Sequence, residues 1–397
     1  MPNAYTGTGS STLGGTAGSA GLVQQAYDRL LEFALRSEPL IRSVADKTPA
    51  RQSIPGSTVV LQKYVDLEKS TSALSETTDP DAVALSTPTQ VSITLAEYGN
   101  SVLVTRALEL FSLADVDPAI ANIIAFNLAD SIDDVAMTTL RGGTNKIFGG
   151  SATSTATVAA ASTLDSADIR KAVAKLRSNK AIGRKGSLYW AGIHPEVSHD
   201  LRAESSSGQG WLLPNQYGSS QDRIWAGEIG NYEGAYYVES ARLYNAKAGA
   251  DQTALATAAA VSGASGAFTI VAANAAFGGR AEVGDKISGT NVGSGAKITA
   301  ISVGATNTTF TVDVANSGTV GTNTLTVTPV TRVYNTIVCG QQAMAQAVAE
   351  EPHVVIGPVV DKLMRHRPMG WYGVLGFARY REEALYRIET GSSIAAL

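Results

Sequence analysis

The sequence predicts an α+β protein that carries an inserted all-β module. Three observations support this fold class. Residues 117–141 repeat apolar side chains at every third or fourth position, which predicts one unusually long helix. Several short segments alternate apolar and polar residues, which is typical of half-buried β-strands. Residues 246–330 combine small neutral residues with short alternating runs, which indicates a separate β-module.

Composition narrows the class of protein. The chain has 397 residues, of which 44% are hydrophobic and only 17% are charged, with a formal net charge of −4. So low a charge content is expected where much of the surface is covered by other subunits. The acidic balance argues against a dedicated nucleic-acid-binding protein. The single cysteine, Cys339, excludes an intrachain disulfide and fits a reducing compartment.

The first 49 residues predict an arm followed by a helix. Residues 1–21 are mostly Gly, Ser, Thr and Ala, so they cannot bury enough apolar surface to become ordered and predict a flexible arm. Residues 22–38 place Val23, Tyr27 and Leu30 on one helical face. The N-terminus lacks the features of a signal peptide, and no apolar run reaches the roughly 18 residues of a membrane span. We expect a soluble protein made in the cytoplasm.

Residues 50–106 predict an extended hairpin. The segments STVVLQKYVD (57–66) and QVSITLAEYGNSVLVT (90–105) both alternate as strands do. The residues between them are polar and rich in turn formers. Because a polar two-stranded hairpin is not stable alone, it must lie on another surface.

Residues 117–141 form the most strongly predicted element. Asp117 is a suitable N-cap, Pro118 suits the first helical position, and Gly142-Gly143 ends the pattern. The predicted apolar face consists of Ile120, Ile124, Leu128, Ile132 and Val135. A helix of this length is a rod of roughly 35 Å, which suits a spine.

Residues 163–245 predict an α/β region that resumes at residue 331. Asp165 and Asp168 form a capping-box-like start to a helix whose apolar face carries Ile169, Val173 and Leu176. A buried strand (SLYWAGIHP), a short helix (PEVSHDLRAE) and another strand (EGAYYVES) follow. The module at 246–330 interrupts this pattern, and only seven of residues 251–330 are charged. Insertions of this kind are tolerated at exposed loop tips, which predicts an outer-surface position.

The sequence shows no catalytic, cofactor or metal constellation. His194 and His199 have no companion ligand at metal-binding spacing, and no Gly-x-Ser-x-Gly elbow is present. The adjacent pairs Asp133-Asp134 and Glu382-Glu383 cannot share a proton, because sequence neighbours point in different directions on a helix or a strand. GGTNKIFGG (142–150) lacks phosphate-loop spacing. We expect a buried, inert thiol at Cys339, no cofactor and no enzyme.

Residues 362–389 raise the question of a nucleic-acid patch. Here the cations precede the aromatic residues, whereas stacking surfaces interleave the two. We therefore expect a structural β-hairpin with a basic rim, in which the glycines at 370, 373 and 376 allow close backbone approach. The candidate subunit-contact residues on this rim are Lys362, Arg365 and Arg367.

Several of these segments together resemble the HK97-like major capsid proteins of tailed bacteriophages. More narrowly, AYDRLLEFALRSEPL, TLAEYGNSVLVT, GIHPEVSHDLR, EIGNYEGAYYVES and the stretch from GPVVDKLMRHRPMGW to YRIET resemble the major capsid protein family typified by N4-like phages. The resemblance covers about 22–245 and 331–390, and the module has no counterpart in the core pattern. It implies hexamers and pentamers that close into an icosahedral shell around double-stranded DNA, after synthesis in the host bacterial cytoplasm.

The resemblance also implies a role for each segment. Scaffold, portal and decoration proteins are the implied partners besides other copies of the chain, with DNA nearby but not specifically bound and no membrane. Some relatives crosslink Lys to Asn, and no motif here nominates such a pair. The implied parts are the N-terminal arm and helix (1–49), the E-loop (50–106), the P-domain spine (107–162), the A-domain (163–245), the inserted β-module (246–330), the A-domain return (331–350) and the P-domain C-terminal hairpin (351–397).

Two other classes remain open from the sequence. An encapsulin-type bacterial nanocompartment uses the same shell fold but packages protein cargo. A surface adhesin is suggested by the Thr-, Ala- and Gly-rich module alone, and the lack of a secretion signal argues against it.

Overall fold

A computed structural model describes most of the chain after residue 38. The described residues are 39–49, 58–67, 69–71, 73, 76, 83–105, 116–203, 228–243, 245–255, 258–273, 281–304, 306–358, 363 and 365–394. The predicted arm (1–21) and helix (22–38) lie outside them. Contacts divide the chain into a first unit (1–36, 98–128 and 352–373) and a second unit (37–97, 129–351 and 374–397).

The described part of the chain contains three α-helices and is otherwise rich in β-strands. The helices are α1 (Val116–Arg141), α2 (Ser166–Ser178) and α3 (Pro195–Ala203). The strands are β1 (Asp46–Pro49), β2 (Thr58–Lys63), β3 (Thr89–Thr94), β4 (Ala96–Thr105), β5 (Lys146–Phe148), β6 (Tyr189–Ile193), β7 (Glu228–Tyr232), β8 (Ala235–Glu239), β9 (Asn245–Asp251), β10 (Ala258–Ser262), β11 (Thr269–Ala273), β12 (Lys286–Gly289), β13 (Ile298–Val303), β14 (Asn307–Val312), β15 (Thr324–Thr328), β16 (Val330–Cys339), β17 (Met344–Ile356), β18 (His366–Arg379) and β19 (Leu385–Thr390).

A seven-stranded sheet forms the centre of the second unit. Its strand order is β5-β19-β16-β6-β8-β7, and β9 also pairs with β16. On one face, Ile169 and Leu176 of α2 pack with Tyr237 and Val338 of the sheet. On the other face, the C-terminal half of α1 packs against strand residues such as Trp190. The sheet is therefore covered on both faces, which explains its strongly apolar strands.

Helices α1 and α2 confirm the predicted helices with small changes. In α2, Asp165 is the N-cap, and its carboxylate accepts a hydrogen bond of 2.9 Å from the backbone N–H of Asp168. Helix α1 begins at Val116, one residue before the predicted cap, and ends at Arg141. Of its predicted apolar face, only Ile124 and Ile132 are fully buried, because the buried side turns toward Ala136, Met137 and Leu140 further along.

The hairpin prediction is confirmed for its two strands and corrected at its end. Strands β2 and β3 pair antiparallel from Thr58 opposite Thr94 to Lys63 opposite Thr89. Residues 90–105 do not form one strand, since the chain leaves regular structure at Leu95 and β4 joins a different sheet. The half-buried Leu95 packs against the small cluster around Ile93, which accounts for the break.

The predicted pairing of strands within residues 362–389 is wrong, and the hairpin predicted for 351–397 is instead formed by β17 and β18, which are hydrogen-bonded neighbours. Strand β18 lies in a four-stranded sheet of order β1-β17-β18-β4, whereas β19 pairs with β16 and β5 in the seven-stranded sheet. A short 3-10 turn, Glu382–Ala384, separates them. The reason is burial, because Leu385 and Ile388 fill the core of the seven-stranded sheet and draw β19 away from β18.

The glycines of β18 confirm the expected close approach of backbones. A Cβ at Gly370 would collide with the carbonyl oxygen of Asn100, and one at Gly373 would lie 2.8 Å from the Cα of Pro352. Side chains at these positions would push neighbouring strands apart.

The inserted module is a six-stranded sheet of order β12-β15-β10-β11-β14-β13. Backbone hydrogen bonds from Ile287 to Ala296 (3.0 Å) and from Ile298 to Asp285 (2.9 Å) also join its two outer strands, so the sheet closes on itself. The module has a core of its own, which includes the fully buried Phe310. The predicted start at residue 246 is too early, because β9 pairs with β16 and belongs to the seven-stranded sheet.

Candidate assembly surfaces

The candidate contact residues of the basic rim are only partly placed by the structure. Lys362 lies outside the described residues. Arg365 is exposed, and Arg367 is half-buried as the second residue of β18. Their role in subunit contacts stays a prediction.

Residues 64–88 join β2 to β3, and several of their described side chains are large, apolar and exposed to solvent. We call these residues the projecting segment. Tyr64 is 64% exposed, Val83 is 77% exposed and Leu85 is 64% exposed. Val65 and Leu67 are also exposed. Exposed side chains of this size, close together in sequence, mark a surface that gains stability when another molecule covers it.

The base of this hairpin is firmly attached to the second unit. Ile93 is fully buried and packs with Ala345 and Ala347. The Lys63 ammonium lies 2.9 Å from a carboxylate oxygen of Glu383. This hydrogen bond lowers the pKa of Glu383 below its usual value.

A second apolar surface, which we call the ribbon surface, lies in the first unit. It consists of Val102 and Leu103 of β4 and Val354, Val355 and Ile356 of β17. Successive residues of a strand point to opposite faces, so the exposure of three consecutive side chains means that both faces are open there.

The ribbon surface rests on a braced framework within the first unit. The amide oxygen of Asn127, on α1, accepts hydrogen bonds from the Trp371 indole at 2.9 Å and from the Asn100 amide at 3.3 Å. These bonds hold β4, β18 and the first half of α1 in one arrangement. The apolar side chains are therefore presented on ordered strands.

Buried ion pairs stiffen the second unit. Glu389 is almost fully buried and lies 2.8 Å from Arg387 and 3.5 Å from Lys146. The hydroxyl of Thr155 donates a further hydrogen bond of 2.5 Å to it. Because a buried carboxylate is costly unless it is paired, these partners explain how β19 keeps charges inside the sheet.

Asp133 provides a second buried carboxylate, beneath the segment that precedes β1. It accepts a hydrogen bond of 2.9 Å from the backbone N–H of Arg42, and the Arg242 guanidinium lies 3.6 Å away. Burial raises the pKa of Asp133 above its usual value, and these donors only partly offset that effect. Its neighbour Asp134 is exposed, so the two carboxyls do not form a pair.

An ion cluster joins the module to the seven-stranded sheet. The ammonium of Lys247 lies 2.5 Å from Asp285 and 2.9 Å from Glu282, and Arg332 lies 2.7 Å from Glu282. Burial raises the pKa of Glu282, but the hydrogen bonds from Lys247 and Arg332 outweigh it and leave the pKa lowered. The cluster fixes the root of the module by charge as well as by strand pairing.

The residues considered for catalysis have structural surroundings. His194 is buried with its ring 5.0 Å from that of Tyr334, and burial lowers its pKa. His199 lies elsewhere, with its ring 3.4 Å from Asp200. Cys339 is fully buried, and burial raises its thiol pKa to about 12, as expected for an inert thiol.

Among the described residues, no group of three or more His, Cys, Asp or Glu side chains is placed to hold a metal ion. No helix in this part of the chain is long and apolar enough to span a membrane.

Comparison with known proteins finds phage shells. A family model described as "Phage capsid protein" matches residues 47–393. No curated protein matches the sequence. The capsid of Ralstonia phage GP4 is 12% identical and aligns with a TM-score of 0.60 over 93% of this chain and 95% of that chain. The capsid of cyanophage P-SCSP1u is 13% identical, with a TM-score of 0.58 over 98% and 99%. The head of Helicobacter pylori bacteriophage KHP40 is 12% identical, with a TM-score of 0.53 over 93% and 96%.

At identities this low, the structural likeness shows a shared fold and no more. The predicted HK97-like α+β capsid fold is confirmed. The narrower resemblance to the N4-like group stays a prediction. The family model shows membership of a family and not only a shared fold, because it matches most of the sequence. The chain belongs to the phage capsid protein family and is a structural protein of the capsid shell.

Proposed function

We propose that this major capsid protein assembles through hexamers and pentamers into a closed icosahedral shell around double-stranded phage DNA. The projecting segment carries the proposal. Its base is buried and ion-paired, while the side chains of Val83 and Leu85 are mostly exposed. A second copy that covers these side chains removes apolar surface from water, which is the main driving force of protein association.

The segments take the roles that the resemblance implies. Residues 50–106 act as the E-loop, α1 as the spine of the P-domain, and 163–245 with 331–350 as the A-domain. The ribbon surface, on β4 and β17, is a second contact between copies. The inserted module, which follows β9, projects from the A-domain, a position supported by its closed sheet and separate core. The basic rim at Lys362, Arg365 and Arg367 serves subunit contacts.

The protein is proposed to be made in the host bacterial cytoplasm and to end in the virion. Scaffold, portal and decoration proteins are its proposed partners besides other copies of itself. DNA is enclosed without specific binding, which fits the net charge of −4. A purely structural role without enzymatic activity is supported by the buried state of His194 and Cys339.

Electron microscopy with light scattering on the purified chain tests the assembly. Closed shells, or rings of five and six subunits, are expected, if necessary after the phage's own scaffold protein is added. A chain that stays monomeric with scaffold present would contradict the proposal.

The contents of native shells distinguish a phage capsid from an encapsulin-type shell. No observation of this structure favours the encapsulin-type shell. We expect nuclease-protected double-stranded DNA inside particles from infected cells. Particles filled with a protein cargo and free of DNA would support the encapsulin-type shell instead.

A further inference from the structure

A basic pocket lies beside the base of the β2–β3 hairpin. It is built by the end of β2, the turn after α2, the turn after β16 and the 3-10 turn before β19. The residues that matter in it are Lys63, Asn179, Lys180, Gln342, Arg381 and Glu383. No sequence pattern brings these residues together, because they come from four distant segments.

The charge of this pocket is unbalanced. It holds three cations, Lys63, Lys180 and Arg381, and one carboxylate, Glu383, so its net charge is +2. Glu383 accepts hydrogen bonds of 2.9 and 3.1 Å from Lys63. The side chains of Lys180 and Arg381 are exposed at the pocket. The pocket therefore attracts anions.

The pocket is also preformed. Lys180 and Gln342 adopt left-handed backbone conformations, with φ of 57° and 58°, which non-glycine residues rarely do. The two turns are joined by a backbone hydrogen bond of 2.8 Å from Gln341 to Ile182. The Asn179 amide donates to the carbonyl of Glu383 at 3.1 Å. Strained turns locked together in this way reduce the ordering cost of binding, and such strain often occurs at functional positions.

The projecting segment has the opposite charge. Between residues 64 and 88 it contains one cation, Lys69, and five carboxylates, so its net charge is −4. The carboxylates are Asp66, Glu68, Glu76, Asp79 and Asp81. The segment also carries the exposed apolar side chains described above. An acidic chain segment is the kind of ligand that a basic pocket recognises.

We propose that this pocket binds the acidic projecting segment of a second copy of the chain. Asp66 and Glu76 are exposed, and neither forms an ion pair with the described residues of its own chain. Lys63 ends β2 and directly precedes the segment, so each copy carries a pocket and a segment side by side. Such a contact is heterologous, and repeated around an axis it closes a ring. The inference rests on the proposed function and names the charged groups that make the contact.

Charge reversal on both sides tests this contact. The pocket variant combines Lys180→Glu with Arg381→Glu, and the segment variant combines Asp66→Lys with Glu76→Lys. Each is expected to raise the protein concentration needed for shell assembly at least about tenfold, because like charges then face each other. The variant that carries all four changes restores opposite charges and is expected to assemble at a concentration close to that of the unchanged chain.

Two controls make the result specific. Lys297→Glu reverses an exposed charge on the module and is expected to leave assembly unchanged. The unassembled variants are expected to unfold at the same temperature as the unchanged chain, which would show that they are folded. Two results would overturn the inference. One is a pocket variant that assembles at the concentration of the unchanged chain, and the other is a variant with all four changes that needs as high a concentration as the pocket variant. An unchanged chain that forms no shells with scaffold present would overturn the proposed function itself.

Discussion

The seven-stranded sheet and the projecting segment solve the same physical problem in opposite ways. In the sheet, Tyr334 and Val338 are fully buried by α2 and neighbouring strands of the same chain. In the projecting segment, Val83 and Leu85 are large and apolar but remain mostly exposed. Both regions carry apolar side chains, and only one of them finds its cover within the chain.

The difference teaches where the stability of each region comes from. A residue of the sheet contributes to the free energy of unfolding of a single subunit. A residue of the projecting segment contributes almost nothing to that quantity, and its contribution belongs to the free energy of association. Substitutions in the two regions should therefore change different measurements.

The largest effect is expected where a charge is buried. Arg387→Ala leaves the nearly inaccessible Glu389 with the neutral Thr155 hydroxyl and the more distant Lys146, so the free energy of unfolding should fall by about 3 kcal/mol in urea denaturation of the unassembled chain. The matched control is Lys286→Ala, which removes an exposed partner of Asp251 and should cost at most about 1 kcal/mol. Equal losses for the two variants would show that burial does not distinguish these pairs.

A comparable effect is expected from a cavity in the core. Leu176→Ala removes fully buried atoms between α2 and the sheet and should lower the free energy of unfolding by about 2–4 kcal/mol. The same change in the projecting segment, Leu85→Ala, should alter it by no more than about 0.5 kcal/mol. Leu85→Ala should instead reduce the yield of shells measured by light scattering. A loss of subunit stability at Leu85 would contradict the comparison.

The smallest effect is expected at the boundary between the two regions. Lys63 lowers the pKa of Glu383, so their pair stabilises the folded subunit above the ordinary carboxyl pKa of 4.5. This contribution is lost as the pH falls through the lowered pKa, when the folded carboxylate takes up a proton. Because Glu383 is largely exposed, the contribution should stay below about 1 kcal/mol.

The variant Lys63→Met isolates that contribution. Its free energy of unfolding should lie below that of the unchanged chain at neutral pH, and the difference should shrink as the pH falls below 4.5. A difference that grows in acid would show that the pair does not act through Glu383.

Local patterns predicted the elements better than their pairing. Helix α2 and strands β2 and β3 follow from periods of three to four and of two, which depend only on nearby residues. The predicted hairpin of β18 with β19 failed because Leu385 and Ile388 pair with residues of β16, about 50 positions earlier. A choice between possible partner strands depends on burial in the whole sheet, which no local pattern contains.

The candidate contact surfaces show the same limit. The basic run at Lys362, Arg365 and Arg367 was visible because its members are adjacent in sequence. The pocket of Lys63, Lys180 and Arg381 was not, since its members are far apart. Val83 and Leu85 are apolar, but most of the residues around them are polar, so the sequence pattern predicts a polar segment and not an exposed apolar one.

Thiol labelling of a Leu85→Cys variant tests most directly whether the projecting segment is covered only in the shell. The native Cys339 is fully buried with a pKa of about 12, so it serves as an unreactive internal control. We predict rapid labelling at position 85 in the unassembled subunit and strong protection in assembled shells, with Cys339 unlabelled in both. Equal labelling at position 85 in subunits and shells would contradict the account.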